Sequence, residues 1–428
     1  MQLPILLLGG DRALIKACVE HHVPVTVAFG PVTRDGRGDP LVHPLVTPVF
    51  TEDPARPELV LAALRRANAD CRFAAVLSTD EFCQVAVGVL GVHLGARAIS
   101  PETALRFRDK ALQKRIVADA GIRVAGSTVI DDIRAIPHTL EIPKPFGVVK
   151  PVAGAGTTAT VIVRDRSELD HYAAGQCRAE PAQRTYLLEE FVEGEEWVAD
   201  GLVIDGELEF LALSRYQATC LSTVNNGRPL CEWSFDPTTD ADVYALATPT
   251  VRCVLQALGL VQGVFHMELF HEADTESVVL GECASRRGGA LTHEMVLAKF
   301  AVDLATEALL AGLGRGRKIA PTIRQSFVGM TYLPCPPGIL LDAPVAEELA
   351  EFPGVLHAQI DTPIGATVSG LANTSARLGA VLIAAASTED FLQRVDNVLK
   401  WTVDRTTVAP PDATRRELAD LGRRVVRC

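Results

Sequence analysis

The stretch that decides the fold is Gly263–Gly289, GVFHMELFHEADTESVVLGECASRRGG. It reads as two strands, Val264–Phe270 and Ser277–Ala284, joined by a polar turn. Alternate residues of a strand share a face. His266 and Glu268 therefore share one face, as do Glu282, Ala284 and Arg286. A hairpin centred near Thr275 sets Glu268 directly opposite Glu282. Like charges so opposed destabilise a sheet. A divalent cation between them converts repulsion into coordination, and Mg²⁺ favours carboxylates together with substrate phosphates. Arg286 then projects beyond the metal toward a terminal phosphate. The alternative is a carboxylate merely solvated at a sheet edge.

Working outward, Val148–Val163 reads VVKPVAGAGTTATVIV. Lys150 stands near the end of one strand. Gly154 and Gly156 permit a tight turn with exposed N–H groups, and Thr157 and Thr158 add hydroxyl donors. Such a loop beside a lysine suits a polyphosphate. It is not a GxxxxGK[ST] loop, because its lysine precedes the glycines. A plain hairpin turn is the competing reading. A third stretch, Tyr186–Leu208, is a strand, an acidic hinge and a second strand. Glu189, Glu190, Phe191 and Val192 offer strand-edge main-chain groups to a planar heterocycle, and Glu196 is placed for sugar hydroxyls. Acidic turns between strands are common, so this segment decides nothing alone.

The rest of the chain mixes strands and helices. Pro4–Leu8, Val23–Phe29 and Phe73–Ser78 read as strands, with helices at Asp11–His21 and Pro57–Ala69, which predicts a doubly wound parallel sheet. Ser100 caps a helix expected to run unbroken from Pro101 to Gly121. Val243–Gly259 is a helix, and Leu291–Gly312 is one or two. From about Gln325 the pattern is strand-rich, and Ala409–Cys428 reads as a final amphipathic helix.

The chain has 428 residues, 48% hydrophobic and 22% charged, so it has the means to bury a large core. A net charge of -12 argues against a general nucleic-acid binder, which needs a broad basic face. Ten cysteines show no CxxC pair and read as reduced thiols of a cytoplasmic protein. No apolar run approaches the ~20 residues of a membrane span. The apolar start reads as a buried strand rather than a signal peptide.

The order of these three segments resembles the ATP-grasp superfamily, and within it carboxylate–amine ligases similar to bacterial L-amino acid ligases. The resemblance covers nearly the whole chain. It implies an α/β (α+β) fold in four parts: a pre-ATP-grasp domain over 1–108, a small lid subdomain over 109–187, a large subdomain over 188–324 and a C-terminal subdomain over 325–428. It implies that Lys110 and Lys150 hold ATP phosphates under the loop 154–160. The main chain of Glu189–Val192 would read adenine, and Glu196 would bind ribose. Glu268 and Glu282 would hold Mg²⁺, or Mn²⁺ in its place. Arg286 would stabilise the transferring phosphoryl group, with Lys150 beside it. Arg287, Gly288 and Gly289 fall near the acyl acceptor. His266 and Arg215 are weaker substrate candidates.

One departure stands out: the family often has Asn, a metal ligand, where this chain has Ala284. The implied reaction phosphorylates a substrate carboxylate and lets an amine displace phosphate, releasing ADP. Implied partners are a small-molecule carboxylate and an amine, with assembly as a homodimer left open. A carboxylase using bicarbonate and a non-catalytic ATP-binding regulatory protein are the alternatives. Cys283 alternates away from the carboxylates and reads as a packed thiol rather than a nucleophile.

Overall fold

The first strand, β1 (Ile5–Leu8), is buried at every residue and forms the centre of a parallel sheet. A computed structural model describes residues 2–30, 42–68, 72–179, 183–368 and 377–413. Strand β2 (Val25–Phe29), β3 (Val46–Phe50) and β4 (Ala75–Leu77) complete the order β3-β2-β1-β4. Helices α1 (Arg12–Glu20), α2 (Pro57–Arg66) and α3 (Gln84–Leu94) cover it. Asp11 caps α1 by accepting the Leu14 N–H at 2.7 Å. β1, β2, β4, α1 and α2 are the expected elements with trimmed ends, whereas β3 and α3 were not expected.

The helix expected over Pro101–Gly121 is two helices, α4 (Pro101–Arg108) and α5 (Lys110–Asp119). Asp109 takes an extended conformation, φ -94° and ψ 105°, and its carboxylate accepts the Leu112 N–H at 2.9 Å. An acidic side chain that can cap competes with helix continuation. The break places Arg108 last in one helix and Lys110 first in the next, both buried.

A lid sheet follows from β5 (Ser127–Ile130), β6 (Gly147–Pro151), β7 (Val161–Val163) and β8 (Tyr186–Glu190), in the antiparallel order β5-β8-β6-β7 with α6 (Arg166–Gly175) beside it. The largest sheet begins with β9 (Glu195–Ile204), β10 (Glu207–Tyr216) and, after α7 (Cys220–Asn225), β11 (Cys231–Ser234). Helix α8 (Ala241–Leu258) leads to β12 (Gly263–Glu272) and β13 (Ser277–Ala284). Two helices follow, α9 (Thr292–Phe300) and α10 (Leu304–Gly312), separated at Ala301, whose φ is +58°. Then come β14 (Phe327–Leu333), β15 (Gly338–Asp342), α11 (Ala346–Ala350), β16 (Val355–Ile360), β17 (Thr367–Val368), β18 (Gly379–Ala385), α12 (Thr388–Arg405) and β19 (Thr407–Ala409).

The large sheet runs β13-β12-β9-β10-β11-β14-β18-β16. It therefore continues through residue 324, where a subdomain boundary is expected, because β14 pairs with both β11 and β18. The final helix expected over Ala409–Cys428 does not start there. Ala409 closes β19, and residues 414–428 lie outside the described residues. An amphipathic helix occurs earlier, as α12, whose buried side is Phe391, Val395, Val398 and Thr402. Among the described residues no helix is long and apolar enough to cross a membrane.

One face of the large sheet makes the main core. Trp197, Ala199, Val203, Phe265, Met267 and Leu269 alternate onto it and pack against α8 and Val117 of α5. The period of two then assigns Glu196, Asp200, His266 and Glu268 to the other face. That face carries the polar groups.

Candidate active site

The register of β12 and β13 places Glu268 opposite Glu282, and an irregularity follows at once between Glu268 and Leu269. The two carboxyls line a cavity of about 1510 Å³ between the lid sheet, the large sheet and the first sheet. They sit in unequal fields. Burial, and then the Glu282 charge, push Glu268 up to about 6. Burial alone would also raise Glu282, but Lys110 and Lys150 overcome it and hold that group at about 2. Lys110 Nζ is 3.0 Å from Glu282 Oε2.

Lys150 is held by another carboxylate, at 2.9 Å from Glu189 Oε2. The second Glu189 oxygen is 3.4 Å from Lys114 Nζ, which also donates to the Gly281 carbonyl at 3.1 Å. Lys114 went unnoticed in the sequence, although it lies one helical turn past Lys110 and so on the same side of α5. Its ammonium is fully buried, and that burial depresses it to about 8. Gln113 was missed as well. Its side chain bonds both the Cys283 N–H, at 2.8 Å, and the Cys283 carbonyl, at 2.7 Å, which fixes β13 against α5. The Cys283 thiol is buried, and burial pushes it far up.

The hinge differs in detail from the expectation. Glu189 has register partners on both sides, Ser127 and Val148, so it is not at a sheet edge. The Glu190 N–H is given to Gly126 and the Phe191 N–H to Phe146. Glu189, Glu190, Phe191 and Val192 all line the cavity. Glu196 lines it too and accepts the Cys220 N–H at 2.8 Å. Burial, and next the Glu268 charge, raise its carboxyl to about 8.

Gly154, Gly156, Thr157 and Thr158 line the lid side. Gly156 has φ +60°, and Thr157 and Ala159 have φ +56° and +58°, a costly region for residues with a side chain. The base of this turn is clamped by cations from the α4–α5 break. Arg108 donates to the Ala153 and Gly154 carbonyls, and Lys110 donates to Gly154 O at 3.2 Å.

Arg286 Nε donates to Glu81 Oε2 at 2.5 Å, and its Nη1 donates to the Arg287 carbonyl at 2.7 Å. Glu81 also lies 3.5 Å from Arg108, whose guanidinium stacks 4.6 Å from the centre of the Phe82 ring. Arg287 pairs with Asp11, which accepts the Thr79 hydroxyl as well. Asp11, Thr79 and Glu81 come from the segments that follow β1 and β4 of the first sheet and carry no motif that singles them out. His266 Nδ1 is 3.0 Å from Asp200 Oδ1. Burial opposes its charge, but Asp200 prevails and lifts the imidazole to about 9. A Cβ on Gly288 would stand 2.8 Å from His266 Nδ1, so only glycine fits there, whereas Gly289 has open space.

Arg215 is the one substrate candidate that the structure removes from the cavity. Tyr216 faces the cavity, and its neighbour Arg215 lies on the opposite side of β10. There it pairs with Glu195 at 2.8 Å and stacks 5.4 Å from the Trp233 ring centre.

Glu232 is a further buried acid on the cavity-side face. Ser214 donates to one of its oxygens, and the other has no hydrogen-bond partner among the described residues. Burial, then the Asp200 charge, raise it to about 7 from the ordinary 4.5. Between those two pH values the folded chain binds more protons than the unfolded one, so stability falls as pH rises through this window. Glu232→Gln should therefore stabilise the protein at pH 8 by on the order of 3 kcal/mol and change little at pH 4. Urea unfolding at both pH values checks this, and an equal gain at both would contradict it.

Comparison with known proteins adds the remaining evidence. Residues 331–401 match the family model described as L-amino acid ligase C-terminal domain 2. The chain is 28% identical over 292 residues to an L-arginine-specific L-amino acid ligase of Bacillus subtilis, covering 67% of this chain and 68% of that protein. It is 32% identical over 127 residues to the dapdiamide A synthase of Enterobacter agglomerans, covering 28% and 29% of the two chains. The solved structure of an L-amino acid ligase from Bacillus licheniformis superposes with a TM-score of 0.74 at 17% identity, over 96% of this chain and 99% of that one. Together, the cleft between the three sheets and these likenesses show an ATP-grasp fold and support an ATP-grasp carboxylate–amine ligase similar to the bacterial L-amino acid ligases.

Proposed function

We propose that the protein uses ATP to join the carboxylate of one amino acid to the amine of another through an acyl phosphate. One observation carries the reading: Glu268 and Glu282 face each other in a cavity that also holds Lys110, Lys150 and Arg286. Phosphoryl transfer needs positioning and charge neutralisation more than covalent help, and this set supplies both.

The residues fit Mg²⁺ or Mn²⁺. Among the described residues no three His, Cys, Asp or Glu side chains close a metal cage. Ala284 has no donor to add. Glu268 and Glu282 would then hold the ion together with water and phosphate oxygens, as hard Mg²⁺ prefers. When bound, it neutralises charge on the phosphates. Lys110 and Lys150 hold the same phosphates, beneath the loop 154–160. The stretch Glu189–Val192 takes adenine, and Glu196 takes ribose.

In the first step a carboxylate oxygen of the acid attacks the γ-phosphorus. The bond to the bridging oxygen of ADP breaks, and ADP leaves with that electron pair. In the second step the neutral amine, its extra proton already lost to solvent, attacks the acyl carbon. The carbon–oxygen bond to phosphate breaks, phosphate leaves, and the amide nitrogen sheds a proton. Arg286 neutralises both charged states. Arg287, Gly288, Gly289 and His266 border the space left for the acceptor.

Release of ADP and phosphate should require an acid and an amine together, with the amide found by mass spectrometry. AMP and pyrophosphate as products, or a requirement for bicarbonate, would contradict the proposal.

A further inference from the structure

The far end of the cavity carries a group of side chains that this reaction scheme leaves unused. The face that bears Glu268 continues across the sheet through register partners. Glu232 pairs with Met330, Met330 with Leu382 and Leu382 with His357; Tyr332 pairs with Ala380, and Ala380 with Gln359. Tyr216, Leu230, Met330 and Tyr332 form an apolar floor there, and Ala290 packs against the same cluster. Ala290 directly follows Gly288 and Gly289, so the floor begins at the acceptor space and leads away from it.

At its end stand Tyr332, Asp361 and Arg377. Arg377 Nε donates to Asp361 Oδ2 at 3.0 Å, and the guanidinium lies 4.5 Å from the centre of the Tyr332 ring. The Arg377 and Asp361 side chains are only 15% and 16% exposed. A carboxylate beside an aromatic face is what a cationic side chain seeks. Here the chain's own arginine occupies that seat.

We propose that Arg377 is a resident cation that closes the side-chain pocket to cationic substrates, so that the enzyme selects amino acids with neutral side chains. This rests on the ligase reading above. An incoming ammonium or guanidinium would have to displace Arg377 from Asp361 or lie against its charge in a recess with little water to screen it. A neutral side chain meets neither obstacle and covers the apolar floor. An anionic side chain gains little, because Asp361 already balances the guanidinium.

The test compares ADP release and product mass for the full chain with leucine, methionine, lysine, arginine and glutamate, alone and in pairs. Wild type should favour the neutral amino acids over lysine and arginine by about tenfold or more in kcat/KM. Arg377→Gln should raise lysine and arginine relative to leucine by about tenfold. Asp361→Asn removes one negative charge beside the guanidinium and should raise glutamate instead. Thermal unfolding of each variant establishes that it is folded, and Asp361→Asn carries the test if Arg377→Gln is not. Wild type that uses arginine or glutamate as well as leucine, or a folded Arg377→Gln with an unchanged ratio, overturns the role of Arg377 and leaves the ligase standing. No ADP release with any pair overturns both.

Discussion

Glu282→Gln should lower kcat by roughly 10²–10³-fold, the scale of losing one preorganised electrostatic contact, and should raise the Mg²⁺ concentration needed for half-maximal rate. The substitution keeps the side chain's shape and removes its charge. That charge holds Lys110 at 3.0 Å and faces Glu268 across the hairpin. The nearby lysines keep Glu282 ionised down to about pH 2, so it is available as a charged ligand at any working pH. The variant should fold, because β13 is held through its backbone by Gln113 and Lys114. Steady-state kinetics with a Mg²⁺ titration measure both effects. An unchanged rate at every Mg²⁺ concentration would sink the assignment of Glu282.

The second large effect is on stability. Lys299→Met should cost about 3–5 kcal/mol, the usual result of removing one partner from a buried ion pair. Lys299 sits in the last turn of α9 with its side chain wholly buried. Its ammonium donates to Asp236 Oδ2 and to the Ser326 carbonyl, both at 2.6 Å. It thereby joins three segments: α9, the turn before α8 and the entry to β14. Methionine matches its length but strips the ammonium from Asp236 Oδ2 and the Ser326 carbonyl, while Asp236 Oδ1 keeps the Thr238 N–H. Adding Asp236→Asn to Lys299→Met should recover part of the loss, because it removes the stranded charge. Chemical unfolding of the two single variants and the double variant gives the coupling. Strictly additive losses would show that the pair is not a unit.

The elements that carry the site were legible where local pattern and chemistry agreed. The β12–β13 hairpin has a polar turn between two alternating strands, and that symmetry fixed Glu268 against Glu282. Lys150 and the glycine-rich turn were visible for the same reason. The α4–α5 break was not, since good helix formers stand on both sides and only the capping ability of Asp109 interrupts them. Arg215 was misplaced because β10 is apolar on both faces: Leu211 and Leu213 on one side, Ala212 and Tyr216 on the other. Alternation then tells which residues share a face but not which face meets the cavity. Glu81, Asp11 and Asp200 escaped because each meets its partner across 66 to 276 residues of sequence. Nothing local marks such a carboxylate.

The unbroken eight-stranded sheet has a mechanical consequence. The carboxylates Glu268 and Glu282 and the end wall at Tyr332 ride on one plate, so they shift as a unit when the cleft opens or shuts. Any squeeze on a substrate must come from parts outside that plate, such as the lid sheet and the first sheet. A cut at residue 324 would strip β14, β18 and β16 and leave β11 as a raw edge, inviting aggregation. Exchanging the tail between relatives to alter specificity would strain the strands that carry the chemistry. Point changes on the end wall disturb them far less.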